Sequence, residues 1–382
     1  MDVVARAKAL QDIVRPRSRE IEEARRFPAD LARAMADAGL FRTLVPRSLG
    51  GLETDPATML RAVELVAEAD ASVGWCVMIG ATSAVIAAYL PPEAAREIFG
   101  DPMTIVGGVF APLGRAVREG DSYRLSGRWP WASGSINCHW LMGGSAILED
   151  GKPRLLANGM IDNRLLVFPA EQATLIDSWF VAGLSGTGSG EMEVQDLRVP
   201  VSRSVSIMAE RPVERGPLYV FPVFGLLALG AGAVALGNAR AAISDLVALA
   251  GGKKPQGSTR TLAERPTAQA ALAEAEAKLR GARAFFYEAI DTAWSRATAA
   301  GDISMEERAL LRLAATHATR ASAEVTRAVY DLGGGSSVHL SSPLQRRFRD
   351  AHVATQHVMI SPATLELAGR VLMGLPTDPT ML

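Results

Sequence analysis

The sequence predicts an α+β chain in three successive parts: a helical region, a small and mostly antiparallel β-domain, and a helical bundle. Three observations carry this. Apolar residues recur at helical spacing from Ala5 to about Glu97, short β-rich runs broken by glycine turns fill Pro102 to Pro200, and the helical period returns after Pro222. The parts correspond to residues 1–101, 102–205 and 206–382.

In the first part, turns are marked at Pro28, at Pro46 to Gly51 and at Asp55-Pro56, where Asp can cap a helix and Pro can open it. In the second, TIVGGVFA, SYRLSGRW, HWLMGGSAIL, RLLVFP and EMEVQDLRVP read as strands, with GD, EDGK and GTGSG as turns. In the third, LAERPTAQAALAEAEAKLRGARAFFYEAIDTAW forms a long amphipathic helix, and Ser304 to Glu307 fits a capping box ahead of a helix running to about Leu332. GGGSS then interrupts, RRFRDAHVATQH lies on a further helix, and Ser361-Pro362 opens the last one. Four or five helices separated by short breaks make a bundle.

A chain of 382 residues, 48% of them apolar, can bury a substantial core. The 40 basic and 41 acidic side chains nearly cancel, without a like-charged block to serve nucleic acid or a membrane surface, so small molecules are the expected partners. Cys76 and Cys138 lack CxxC spacing and sit in apolar surroundings, which fits buried thiols and neither a disulfide framework nor a zinc site. The charged, helical N-terminus has no apolar segment of the signal-peptide kind, so the cytoplasm is the expected location. Ala71 to Pro92 and Gly216 to Gly237 approach the roughly 20 uncharged residues that cross a bilayer. Their Gly, Ala, Ser and Thr content and lack of flanking basic clusters fit helices buried inside a bundle better.

Two of the five histidines, His352 and His357, lie in RDAHVATQH. Five residues apart on a helix they are displaced by about 140°, so they cannot face one ion, and no metal is expected. His357 precedes a Ser-Pro helix break, where a cavity can open; it reads either as a general base or donor or as an interior histidine, and spacing alone favours the interior. GRWPWASGSINCHW, Gly127 to Trp140, gathers three of the six tryptophans with Ser133 and Gly134, which suits either a wall for a flat ligand or an aromatic core. GLSGTGSGE, Gly183 to Glu191, can approach a ligand closely but lacks the P-loop ending, and GGGSS follows a helix, so the dinucleotide fingerprint fails.

The order of these pieces resembles the acyl-CoA dehydrogenase superfamily. The resemblance runs through FPADLARAMADAGLFRTLVPRSLGG, then GLSGTGSGEMEVQDLRVP closing the β-domain, then GGGSSVHLSSPLQRRFRDAH in the bundle. It implies a helical domain, an antiparallel β-barrel-like middle domain and a C-terminal four-helix bundle, with flavin between the last two, in a homotetramer. True dehydrogenases carry a glutamate base just after the RDA segment, where this chain reads HVATQHVMISP without a carboxylate. The chain instead resembles the branch of two-component monooxygenases supplied with reduced flavin by a separate reductase. Members of that branch pass oxygen from a C4a-hydroperoxyflavin to an aromatic or heteroaromatic small molecule.

The resemblance implies that Ser133 holds the flavin N5 edge and that His357, with a neutral-pH pKa, deprotonates the substrate or bonds the peroxide. It further implies reduced FMN, ahead of FAD, contacted by Phe110 of FAPLG, Trp131, Ser133, Gly186 and Thr187, with phosphate at Arg260, Gly334 and Gly335 of a neighbouring subunit. Trp75, Trp179 and His352 would wall the substrate pocket and keep water out. Two other readings stand beside this one. One is an acyl thioester dehydrogenase using Glu191 or Asp350 as base; the other is a non-catalytic member of the superfamily.

Overall fold

Polar caps and prolines start several of the N-terminal helices of this computed structural model, which describes residues 2–382. The helices are α1 (Val3–Val14), α2 (Ser18–Ala24), α3 (Ala29–Asp37), α4 (Pro56–Ala69), α5 (Ala71–Ser83) and α6 (Pro92–Phe99). The Asp55 carboxylate accepts from the Thr58 N–H at 2.8 Å and starts α4. Asp70 ends α4 and caps α5, accepting from Ser72 and Val73 at 3.0 and 3.1 Å, so the two helices meet at one buried carboxylate.

The strands are β1 (Val106–Glu119), β2 (Ser122–Trp129), β3 (Trp140–Glu149), β4 (Lys152–Pro153), β5 (Asn163–Pro169), β6 (Thr174–Ile176), β7 (Glu191–Pro200) and β8 (Ser204–Val205). They form one sheet in the order β6-β7-β2-β1-β3-β5-β8, with β4 paired to β3. The antiparallel expectation holds for every pair except β1 and β3, which run parallel. The cause is the segment from Pro130 to His139. It leaves β2, passes across β1 and adds β3 on the far side. Gly107 makes room, since a Cβ there would stand 2.7 Å from the Cys138 sulfur.

One side of the sheet packs on Trp129. Its ring fills the space left by Gly114, Gly127 and Gly143, and its indole N–H donates to the Gly144 carbonyl at 2.7 Å. This side of the sheet thereby has its own core, including Tyr123, Leu125, Phe168 and Met192. The other side, through Val106, Met142 and Val167, packs on Ile86, Ile98 and Phe99 of the N-terminal helical part.

The C-terminal part consists of α7 (Val223–Ala250), α8 (Pro266–Ala300), α9 (Met305–Gly333), α10 (Pro343–Ala354) and α11 (Pro362–Leu372). The capping box at Ser304 and Glu307 forms as the sequence predicts. Helices α7 to α10 make the expected bundle, and α11 packs on the outer side of α9. Helix α7 touches α4 and α5 on one side and α9 and α10 on the other. This accounts for its apolar surface all round: 94% of its most apolar 18-residue window is buried, as for Ala71–Ala88.

Close approach of α4 and α7 depends on Gly237, where a Cβ would run into the Glu64 carbonyl and stand 2.9 Å from the Glu68 nitrogen. We expect Gly237→Ala to cost about 1–3 kcal/mol through overpacking. Chemical unfolding would measure it, and an unchanged midpoint would mean that the helices part without strain.

Candidate active site

The crossing segment between β2 and β3 carries Ser133 into the junction of all three parts. Its hydroxyl accepts from the Trp75 indole N–H of α5 at 3.2 Å and lies 2.6 Å from the Ser189 hydroxyl. Ser189 in turn lies 2.6 Å from the Thr187 hydroxyl, which donates to the Leu184 carbonyl at 2.7 Å. Each hydroxyl has one proton. Thr187 gives its proton to the carbonyl, so Ser189 must donate to Thr187 and Ser133 to Ser189. The Ser133 oxygen is left with a free lone pair and no proton to offer.

The end of this chain is held rigidly. Leu184 adopts a left-handed backbone (φ 53°), which is unfavourable for a branched side chain. Its carbonyl also accepts from the Trp179 indole at 3.1 Å and from the Thr187 N–H at 3.1 Å. Its own N–H donates to the Asp350 carboxylate of α10 at 2.6 Å. Gly186 is required because a side chain there would meet Ile21 and Ser72 of α2 and α5. Asp350 is fully enclosed, and burial, reinforced by the Asp70 charge, pushes its carboxyl up to about 6.

His357 joins from the turn between α10 and α11. Its ring meets Trp75 edge-on, with centroids 5.4 Å apart and planes at 73°. Burial, then the charge of Arg312, lowers its pKa to about 4. The neutral-pH value expected from the resemblance is therefore corrected: the imidazole is uncharged throughout the neutral range. The Met359 N–H donates to Nδ1 at 3.4 Å, which assigns the proton to Nε2 and makes that nitrogen a donor.

The other predicted residues are distributed more widely. Trp131, in left-handed backbone (φ 64°), is 64% exposed beside Ser133. Phe110 lies in the irregular stretch of β1 between Val109 and Gly114. His352 is engaged with Phe348, through the carbonyl at 2.7 Å and the ring at 4.1 Å. Arg260 is exposed in the loop before α8, and Gly334 and Gly335 follow α9. Lys253 from that same loop donates to Ser336 at 2.6 Å beside the two glycines. Neither carboxylate of the dehydrogenase reading is available as a base: Glu191 is paired with Arg128, and Asp350 holds Leu184.

Sequence reasoning missed Ser189, Arg312 and Lys253, and weighed Asp350 only as a base. Ser189 and Asp350 were visible in GTGSG and RDAH, but their partners are brought together only by tertiary structure. A small void of about 10 Å³, lined by Phe27, Phe41, Cys76 and Ile79, backs Ser133 and Gly134. A larger cavity of about 580 Å³ opens at the start of α7, walled by Tyr89, Met208, Tyr219, Phe221 and Phe224.

Residues 4–98 match the family described as "Acyl-CoA dehydrogenase, N-terminal domain", and residues 229–362 match "Acyl-CoA dehydrogenase, C-terminal domain". The chain is 36% identical over 379 residues to an indole-3-acetate monooxygenase of Pseudomonas putida, covering 98% of this chain and 95% of that protein. It is 28% identical over 390 residues to the flavin-dependent monooxygenase oxygenase subunit HsaA of Mycobacterium tuberculosis, covering 100% and 97%. A crystal structure of HsaA from that organism superposes with a TM-score of 0.90 over 100% of both chains, at 28% identity. XiaF from Streptomyces sp., solved with FADH2 and glycerol, superposes with a TM-score of 0.88 at 27% identity, covering 99% of this chain and 96% of that one.

The two shifted groups act on stability in opposite directions. Between pH 6 and 3.8 the folded chain binds a proton at Asp350 that the unfolded chain does not, so acidification stabilises the fold. Between pH 6.5 and 4 the unfolded chain binds one at His357 that the fold refuses, so acidification destabilises it. Each effect amounts to about 3 kcal/mol at full extent. We expect Asp350→Asn, which keeps an acceptor for Leu184, to remove the first effect and expose a steeper stability loss below pH 6. Unfolding midpoints at a series of pH values would show it, and a profile unchanged from the parent chain would contradict the assignment.

Proposed function

Because the chain belongs to the acyl-CoA dehydrogenase family, we propose that it works as the oxygenase component of a two-component flavin-dependent monooxygenase hydroxylating an aromatic or heteroaromatic small molecule. The observation that carries this is the contact set of Ser133, Trp75 and His357, with no carboxylate among them. The segment in which dehydrogenases carry their glutamate base holds a neutral imidazole here and no carboxylate.

The residues present fit a flavin. Trp131 offers an exposed aromatic face beside Ser133, whose oxygen keeps a free lone pair. Lys253, next to Gly334 and Gly335, where a side chain would meet almost nothing, makes a cationic cradle suited to phosphate, with Arg260 in the same loop. When bound, reduced FMN or FAD would supply the oxygen-activating chemistry for hydroxylation. Ser133 accepts a hydrogen bond from an N–H at the flavin's central edge, which the reduced ring has and the oxidised ring lacks. The serine thereby favours the reduced form. His357 acts as a donor from Nε2, steadying an oxygen atom of the reacting groups, rather than as a base. Trp75, bonded to Ser133, and Phe27 and Phe41, lining the small void behind it, would keep water from the Ser133 side.

The relatives' designation as oxygenase subunits supports a separate reductase as partner. Exposed apolar residues at Val338, Leu340 and Met373 support assembly, which we read as a homotetramer. Free thiols at Cys76, which is buried, and at Cys138, which is partly buried and pushed up to about 12, suit the cytoplasm.

Mixing the protein with a flavin reductase, NADH, FMN or FAD and a set of indoles and phenols tests the reading. Oxygen consumption with a hydroxylated product is expected. Bleaching of bound oxidised flavin by an acyl-CoA, with no hydroxylation, would replace this function with the dehydrogenase one. We further expect Ser189→Ala to free the Ser133 proton and reduce the preference for reduced over oxidised flavin by about tenfold, on the scale of one hydrogen bond. Anaerobic titration with both forms would measure that ratio. Equal weakening of both would mean that Ser189 only shapes the loop.

A further inference from the structure

We propose that Arg312 binds the carboxylate of the substrate, so that the chain selects aromatic carboxylic acids of the arylacetate kind. The inference rests on the oxygenase reading and narrows its substrate class.

Arg312 lies in the second turn of α9 and is 1% exposed. Its Nη1 donates to the Phe224 carbonyl at 3.2 Å and lies 3.6 Å from the Met359 sulfur, a weak acceptor, while its buried Nε has no partner. Among the described residues no carboxylate reaches it. Two other buried arginines, Arg42 and Arg347, also have one unpartnered nitrogen each but have more acceptors. Arg347 pairs with Asp245 at 3.3 Å and donates to the Glu68 and Ala69 carbonyls, and Arg42 reaches the carbonyls of Phe99, Asp101 and Leu49. A guanidinium held out of water with so few acceptors is unstable in the free protein and lacks only an anion. Burial lowers its pKa to about 10, so it remains charged at neutral pH.

Its place indicates which anion. Met359 links it to the reactive residue, with its sulfur beside Nη1 and its N–H on the Nδ1 of His357. On the other side, Phe224, whose carbonyl Arg312 holds, lines the cavity of about 580 Å³. That volume suits a small aromatic molecule, and the wall is mainly aromatic and apolar. Arg308, on the same face of α9 one turn earlier, faces this cavity, as does Tyr219, whose buried hydroxyl has no partner. Burial and the charges of Glu53 and Glu214 keep that hydroxyl protonated, so it too can donate to a carboxylate. A carboxylate held at Arg312 thus lies next to Met359, which contacts His357, and beside the wall of a cavity large enough for a ring. An amide arm of the same shape would leave the positive charge uncompensated.

Equilibrium binding of indole-3-acetate and indole-3-acetamide to the whole protein with reduced flavin under anaerobic conditions tests this. The acid is expected to bind about tenfold or more tightly than the amide, a difference on the scale of a charged hydrogen bond. Arg312→Met should abolish the difference while leaving amide affinity near its starting value, and Arg312→Lys should retain part of it. If the unaltered protein shows no preference while still hydroxylating indole, the carboxylate site is overturned and the oxygenase reading stands. Equal loss of acid and amide in Arg312→Met, or a change in its subunit assembly by sedimentation, overturns the site in favour of a structural role. A protein that binds neither compound and oxygenates no indole overturns both.

Discussion

The structure turns on the peptide groups flanking Leu184. A leucine in left-handed backbone persists only where its surroundings over-determine it, and here three donors converge on its carbonyl while a buried carboxylate takes its N–H. Those partners come from the loop before β7, from Trp179 and from α10. Through Thr187, Ser189 and Ser133 the same point reaches Trp75 on α5, and through Trp75 it reaches His357. The N-terminal helices, the sheet and the bundle therefore define the candidate site jointly. No one of them contains it.

Buried charge follows the same geometry. Asp350, His357 and Arg312 lie along α10, the turn after it and α9, and burial is the first cause of the shift in all three. Their consequences differ. Asp350 has a strong backbone donor and serves the fold, whereas His357 is held neutral with a proton on Nε2. Arg312 stays charged and poorly compensated, a condition that folding alone gives no reason to keep. Stability would favour an apolar side chain at that position, which is why the cation points to a ligand.

The three-part organisation was legible because it rests on local signals. Helical period, strand runs, the capping box at Ser304 and the prolines at Pro56 and Pro362 act over a few residues. The parallel pairing of β1 with β3 was not legible, since nothing in GRWPWASGSINCHW says on which side of β1 the chain will return. Ser133 and His357 could be singled out by resemblance, but their chemistry could not. That Ser133 has no proton to give follows from counting three hydroxyls against one carbonyl, and Thr187 and Ser189 reveal this only once folded beside it. Arg312 was not legible as a site residue, because the sequence does not show that Phe224 and Met359 would enclose it.

The arrangement of protons separates this site from a dehydrogenase more sharply than the absence of a glutamate does. Removing an α-proton requires a base that is unprotonated and basic at neutral pH, and the carboxylate that joins the network, Asp350, is already committed to Leu184. What the network offers is an acceptor at Ser133 and a donor at His357, each fixed by neighbours and neither changing charge near pH 7. Such a pair cannot pull a proton from carbon. It can hold one polar group by its hydrogen and another by its lone pair, across a region closed by Trp75. That is the requirement for keeping a reduced, oxygen-reactive cofactor in one state and one place while a substrate ring is brought to it.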